Sequence, residues 1–278
     1  MSYQFATIDI ETTGLNRYKD RITWIGVGLA KTVDDDLSKI LIYDGSSEAD
    51  MRKFRNVMKH VREAKAKTVF QNGKFDTLFI EHHLGLKIPI HEDTMLMGTA
   101  YDLVAEHGLK AMAKSYLGVP DWDIKKKDKL SGDKDTIVPY LKCDVKYTWQ
   151  LYQYLCCNMT SRQMKLYREL LRPAYRAYRD IERNGLYIDL DALRSVRKKY
   201  NTQEKKLLAE LNKHAKINWN SSAQVAKVFY EQEKMPIINW TAKGAPSIAA
   251  DVLKELSMQG YETPKLLLEY KDAATRNK

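Results

Sequence analysis

At 278 residues, with 44% hydrophobic residues, the chain is long enough for two domains and apolar enough to bury a real core. Charged residues at 29% and the lack of any apolar run near the ~20 residues of a membrane helix argue for a soluble protein. The start enters a strand pattern with no basic-then-apolar leader, and Cys143, Cys156 and Cys157 have no zinc-spaced partners, which together point to a reducing compartment.

The first expected strand ends in Asp9-Ile10-Glu11. Side chains alternate along a strand, so both carboxylates point to one side of the sheet, either into solvent or around a divalent cation. A turn at Thr12-Thr13-Gly14-Leu15 leads to a second strand over 22–30, whose Gly26 and Gly28 lack the following helix of a dinucleotide site and so fit close packing or a bulge. A third strand covers 40–43. Ser46 or Ser47 caps a helix to about Ala64, a strand spans 68–72, and a helix starts at Gly73 with Asp76 near its first turn. The order predicts an α/β domain with a mixed sheet. Helices follow from Met95 and from Gly108, and the charged run 123–129 reads as a loop.

A long helix runs to about Asn158, with Ile137, Leu141, Val145, Thr148, Tyr152 and Leu155 as its buried stripe. On its flank Tyr140 and Asp144 stand one turn apart.

In order, the chain offers Asp9-x-Glu11, Asn72-x3-Asp76 and Tyr140-x3-Asp144. This series resembles the three motifs of the DEDDy 3′–5′ exonucleases, whose fold is ribonuclease H-like. Gln71-Asn72-Gly73-Lys74-Phe75-Asp76, with Asp93-Thr94-Met95 and Gly108-Leu109-Lys110-Ala111-Met112-Ala113, is similar to the proofreading domain of family A (DNA polymerase I-like) polymerases. The resemblance covers about residues 3–158. It implies hydrolysis of a phosphodiester at a 3′ end with two Mg²⁺ or Mn²⁺ ions, which four carboxylates suit in charge. It assigns Asp9, Glu11 and Asp144 to one ion, Asp9 and Asp76 to the second, and Tyr140 to orienting the attacking water. Thr12, Leu15 and Asn72 would contact the substrate strand.

Beyond the long helix, Met164, Tyr167, Leu171, Ala174, Tyr178 and Ile181 predict one apolar face, beside a basic stripe of Arg168, Arg172, Arg176, Arg179 and Arg183. A solvated surface and contacts to backbone phosphates are both open for that stripe. Most of the net charge of +10 is concentrated between 160 and 230. Asn184-Gly185 would turn the chain into a short strand at 186–189, followed by a basic helix over about 190–214.

Glu182-Arg183-Asn184-Gly185-Leu186-Tyr187-Ile188-Asp189, then Asn218-Trp219-Asn220-Ser221-Ser222-Ala223-Gln224, then Thr241-Ala242-Lys243-Gly244, resemble the opening of the family A polymerase module, a thumb-like region that grips duplex. The resemblance implies an exonuclease domain over 1–159 and a mainly helical DNA-binding region over 160–278, with Arg168, Arg172, Arg179 and Lys243 near DNA. The polymerase motifs themselves are not found, so either a separate palm-and-fingers chain is an expected partner, as in a split polymerase, or the sequence is an amino-terminal fragment; single-stranded 3′ ends and primer-template duplex are the other expected partners, and no membrane partner is expected. The location implied is the cytoplasm of a bacterium or phage-infected host. The rival readings are a ribonuclease D-like RNA-trimming enzyme and a non-catalytic accessory subunit of a split polymerase.

Overall fold

The computed structural model describes residues 3–124 and 133–277, so the loop expected at 123–129 lies largely outside the described residues. The chain divides into two compact units, Met1–Gly185 and Leu186–Lys278. The first unit therefore continues past the boundary expected at 159/160, because the segment after the long helix packs back onto it.

Five strands build the first unit: β1 (Phe5–Thr12), β2 (Ile22–Ala30), β3 (Lys39–Asp44), β4 (Lys67–Phe70) and β5 (Glu92–Asp93), in the order β3-β2-β1-β4-β5. β1, β2 and β3 are antiparallel, while β4 and β5 run parallel to β1. This mixed sheet flanked by helices is ribonuclease H-like, as expected. On one face Ala6, Ile8, Ile10, Ile25 and Val27 bury against Phe54 and Met58 of α1 (Glu48–Glu63) and Phe79 and Ile80 of α2 (Gly73–Leu84). Ser47 caps α1 by accepting from the Asp50 N–H.

α3 (Thr94–Tyr101) and α4 (Leu109–Met112) follow, α4 continuing through one π-helical turn, Ala113–Leu117. The long helix α5 (Lys134–Asn158) covers the second face of the sheet, and its expected stripe is buried throughout. The two strand glycines explain how it comes so close. A Cβ on Gly26 would lie 2.7 Å from Val145 Cγ2, and one on Gly28 would lie 2.8 Å from Val145 Cγ1. Bare backbone there lets α5 lie directly on β2.

After α5 come α6 (Ser161–Leu166), a π-helical turn at Tyr167–Leu171, and α7 (Arg172–Asn184). The apolar face expected here is only partly realised. Tyr167 and Tyr175 are buried, whereas Tyr178 and Ile181 are exposed. The π turn is the reason: its i→i+5 bonding puts an extra residue into the turn, so the 3.6-residue period read from the sequence goes out of phase beyond it. The strand expected at 186–189 is also absent; these residues are exposed and outside any strand.

In the second unit α8 (Leu190–His214) packs on α11 (Glu262–Arg276), and α9 (Ser222–Ala226) and α10 (Ala250–Met258) complete the packing. Leu211, Trp219, Phe229, Leu253, Leu256 and Leu267 form its core. Thr241-Ala242-Lys243-Gly244 forms a tight turn. The Thr241 N–H donates to Ala245 O at 2.8 Å, and Gly244 takes a φ of +76° that favours glycine.

Candidate active site

β1 and α5 place the first three carboxylates. In the β1/β2 register Asp9 stands opposite Gly26 and Glu11 opposite Trp24, and cross-strand partners share a face. That face carries α5, because Val145 and Leu141 are the side chains packed over Gly26. Asp144, next to Val145, is thereby brought to Asp9 and Glu11, and one carboxylate oxygen from each of the three lies within 4.8 Å of the others.

Asp76 reaches the site from the other side of β1. β4 pairs with β1 only as far as Thr7 and ends at Phe70, so the Ile10 N–H has no acceptor from that strand. Asp76 Oδ1 accepts it at 3.1 Å. Asp76 is buried and adjoins the three-carboxylate group without being one of its members.

The start of α2, which aims Asp76, is fixed by groups distant in sequence. Asn72 takes the left-handed conformation, φ 59° and ψ 43°, which Asn tolerates better than most residues. Asp93 accepts the Asn72 N–H at 3.3 Å and the Gly73 N–H at 2.8 Å, and also caps α3 through Met95 and Leu96. Tyr175 donates to Asn72 Oδ1, and Tyr167 donates to Glu92 while accepting the Asp93 N–H.

Four acids in so small a volume resist ionisation together. The Asp9 carboxyl is held well above the usual range, first by desolvation and then by Asp144, Asp76 and Glu11. Asp76 is also raised, by burial that outweighs its backbone hydrogen bonds. Asp93 is pushed up to about 6, again by burial. The Tyr140 phenol rises far above its ordinary value through desolvation, with Asp144 and Glu11 adding to it. Tyr140 therefore stays a neutral phenol, able to hydrogen-bond and unsuited to act as a base.

Two residues with no role assigned from sequence complete the site. Lys110 Nζ lies 2.6 Å and 2.7 Å from the two Asp144 oxygens and 2.6 Å from the Tyr140 hydroxyl. Trp122 Nε1 donates to Asp144 Oδ1 at 2.6 Å. Lys110 stood within a recognised motif, but neither spacing nor periodicity marks which carboxylate a lysine will meet.

The expected substrate-contact residues divide. Leu15 is 86% exposed and lines a cavity of about 600 Å³ with Asn72, Lys74, Phe75 and Glu182. Thr12 is half-buried and donates to Gly14 O. Arg168 and Lys243 are exposed. Arg172 and Arg179 have internal partners: Arg172 donates to His91 O and pairs with Glu92, and Arg179 donates to Ile88 O. With Arg176 on Ile90 O, they satisfy the carbonyls of the non-helical segment leading into β5.

The family described as 3′–5′ exonuclease matches residues 3–159. DNA polymerase I of Pseudomonas aeruginosa is 28% identical over 194 residues, 64% of this chain and 21% of that protein. DNA polymerase I of Borreliella burgdorferi is 24% identical over 284 residues, 98% of this chain and 30% of that protein. The chain thus spans less than a third of the length of either relative. The POL domain of Pol1 from M. smegmatis, solved in complex with DNA primer-template and dNTP, has a TM-score of 0.70 at 17% identity, covering 98% of this chain and 44% of that one.

Proposed function

Because this chain belongs to the 3′–5′ exonuclease family and carries the carboxylate corner of Asp9, Glu11 and Asp144, we propose that it hydrolyses DNA from the 3′ end with the help of two divalent ions. The juxtaposition of those three oxygens within 4.8 Å carries the proposal. Hard oxygen donors of like charge, one of them made reluctant to ionise by desolvation and by its acidic neighbours, are what a Mg²⁺ or Mn²⁺ ion satisfies.

Asp9, Glu11 and Asp144 would hold one ion, and Asp9 with Asp76 the second. Divalent ions there supply an acidified water and neutralise charge on the phosphodiester. Asp93 and Tyr175 keep the start of α2 in place, so Asp76 keeps its direction. Tyr140, a neutral phenol, orients the attacking water by hydrogen bonding. Leu15 and Asn72 border an open cavity and would receive the terminal nucleotide there. Arg168 and Lys243, both exposed, would contact DNA phosphates, and the compact unit Leu186–Lys278 would supply most of the thumb-like DNA-binding region expected over 160–278. A polymerase module would be the working partner, for which this chain edits 3′ ends.

Degradation of matched 5′-labelled DNA and RNA oligonucleotides in Mg²⁺, by the wild type and by Asp9→Ala, tests the proposal. DNA shortened from its 3′ end by the wild type alone, with the variant still binding single-stranded DNA in Ca²⁺, is the expected result. Equal hydrolysis by both proteins overturns the assignment, and preferential loss of RNA overturns the substrate.

A further inference from the structure

Asp144 is assigned to an ion, yet protein donors already engage both of its carboxylate oxygens. The Lys110 ammonium has three N–H donors and three acceptors in range: Asp144 Oδ1 at 2.6 Å, Asp144 Oδ2 at 2.7 Å and the Tyr140 hydroxyl at 2.6 Å. The same ammonium sits 4.3 Å from the centre of the Tyr140 ring and 5.1 Å from that of Trp122. Lys110 is half-buried and Asp144 buried, so the pair is shielded from the screening that weakens surface ion pairs.

We propose that Lys110 is an internal cation of the metal-free site, held on the two Asp144 oxygens that a divalent ion would need, so that metal loading is a displacement of the Lys110 ammonium. This rests on the metal reading above. It makes Lys110 a positioning residue with two effects: it keeps Asp144 and Tyr140 together while no ion is bound, and it raises the ion concentration at which the site fills. A lysine suits this role because its ammonium is a compact charge on a flexible stem, able to leave without breaking the fold.

The test is Mn²⁺ binding to the full chain without nucleic acid, followed by the electron paramagnetic resonance of free Mn²⁺. Lys110→Met removes the charge and keeps the stem, and is expected to lower the half-saturating Mn²⁺ concentration about tenfold, since a unit positive charge a few ångströms from the ion is lost. Lys110→Arg keeps the charge and is expected to stay within about threefold of the wild type. Saturable binding by the wild type with equal or weaker binding by Lys110→Met overturns the proposal alone; a merely structural lysine gives that result. No saturable binding by the wild type overturns the metal reading and this proposal with it. A second measurement does not depend on the Met variant folding. The hydrogen-bonded lysine ammonium signal in ¹⁵N NMR, assigned by its loss in Lys110→Arg, is expected to shift or vanish on Mg²⁺ addition with the midpoint of metal binding; a signal unmoved at saturation overturns the displacement.

Discussion

The hydroxyl of Tyr175 donates to Asn72 Oδ1 at 3.1 Å and accepts the Lys74 N–H at 2.9 Å. A residue beyond the family-matched region thus holds the left-handed turn that starts the Asp76 helix. Tyr175→Phe leaves both partners without their bond in a largely buried place and is expected to cost about 1–3 kcal/mol. Differential scanning calorimetry should show a melting point a few degrees lower, and the rate of 3′-end hydrolysis should fall severalfold as Asp76 loses its fixed direction.

Asp9→Asn is expected to move stability and activity in opposite directions. The wild-type carboxyl is strained by desolvation and by three neighbouring acids, so the neutral isostere should make the metal-free chain more stable by about 1 kcal/mol at pH 7.5. Hydrolysis should drop below about one hundredth, since even residues that only orient metal ligands cost 10–100-fold when changed. Urea denaturation in EDTA, beside oligonucleotide hydrolysis in Mg²⁺, checks both directions.

Asp93 links stability to pH. Its folded value of about 6 lies above the unfolded value of roughly 3.9, so the folded state holds the proton more tightly. The stability this contributes is fully present below about pH 4 and is lost as pH rises through 6, about 3 kcal/mol over that window. Asp9 and Asp76, both raised, act in the same direction. In EDTA the unfolding free energy should therefore fall between pH 5 and pH 7.5, and Asp93→Asn should remove the part that saturating Mg²⁺ does not.

The arginine stripe separates into two roles. Arg172 supports buried Glu92 and the His91 carbonyl, so Arg172→Ala should destabilise the chain by about 2–3 kcal/mol by leaving Glu92 short of its counter-charge. Arg168→Ala should leave the melting point within a degree and reduce the slope of log K against log salt for duplex binding by about 1. Thermal melts and binding titrations at three salt concentrations decide between these outcomes. A slope changed by Arg172→Ala and not by Arg168→Ala would reverse the assignment.

What the sequence determined by itself is what local periodicity and order encode. The two-residue alternation of β1 already put Asp9 and Glu11 on one side, and the stripe of α5 already put Tyr140 and Asp144 on the flank of a buried helix. Gly26 and Gly28 were legible as close packing or a bulge because their strand had no following helix, and the approach of α5 decided for packing. The tertiary structure alone decided which partners those side chains meet. Lys110 and Trp122 reach Asp144 from 34 and 22 residues away, and Asp93 reaches Gly73 across 20. Such choices depend on how elements approach in space, which no single-chain pattern records. The same holds for the face of α7. A π turn at Tyr167–Leu171 shifts the helical phase, turning Tyr175 inward and Tyr178 outward, and hydrogen bonding within one turn decided that where the 3.6-residue period could not.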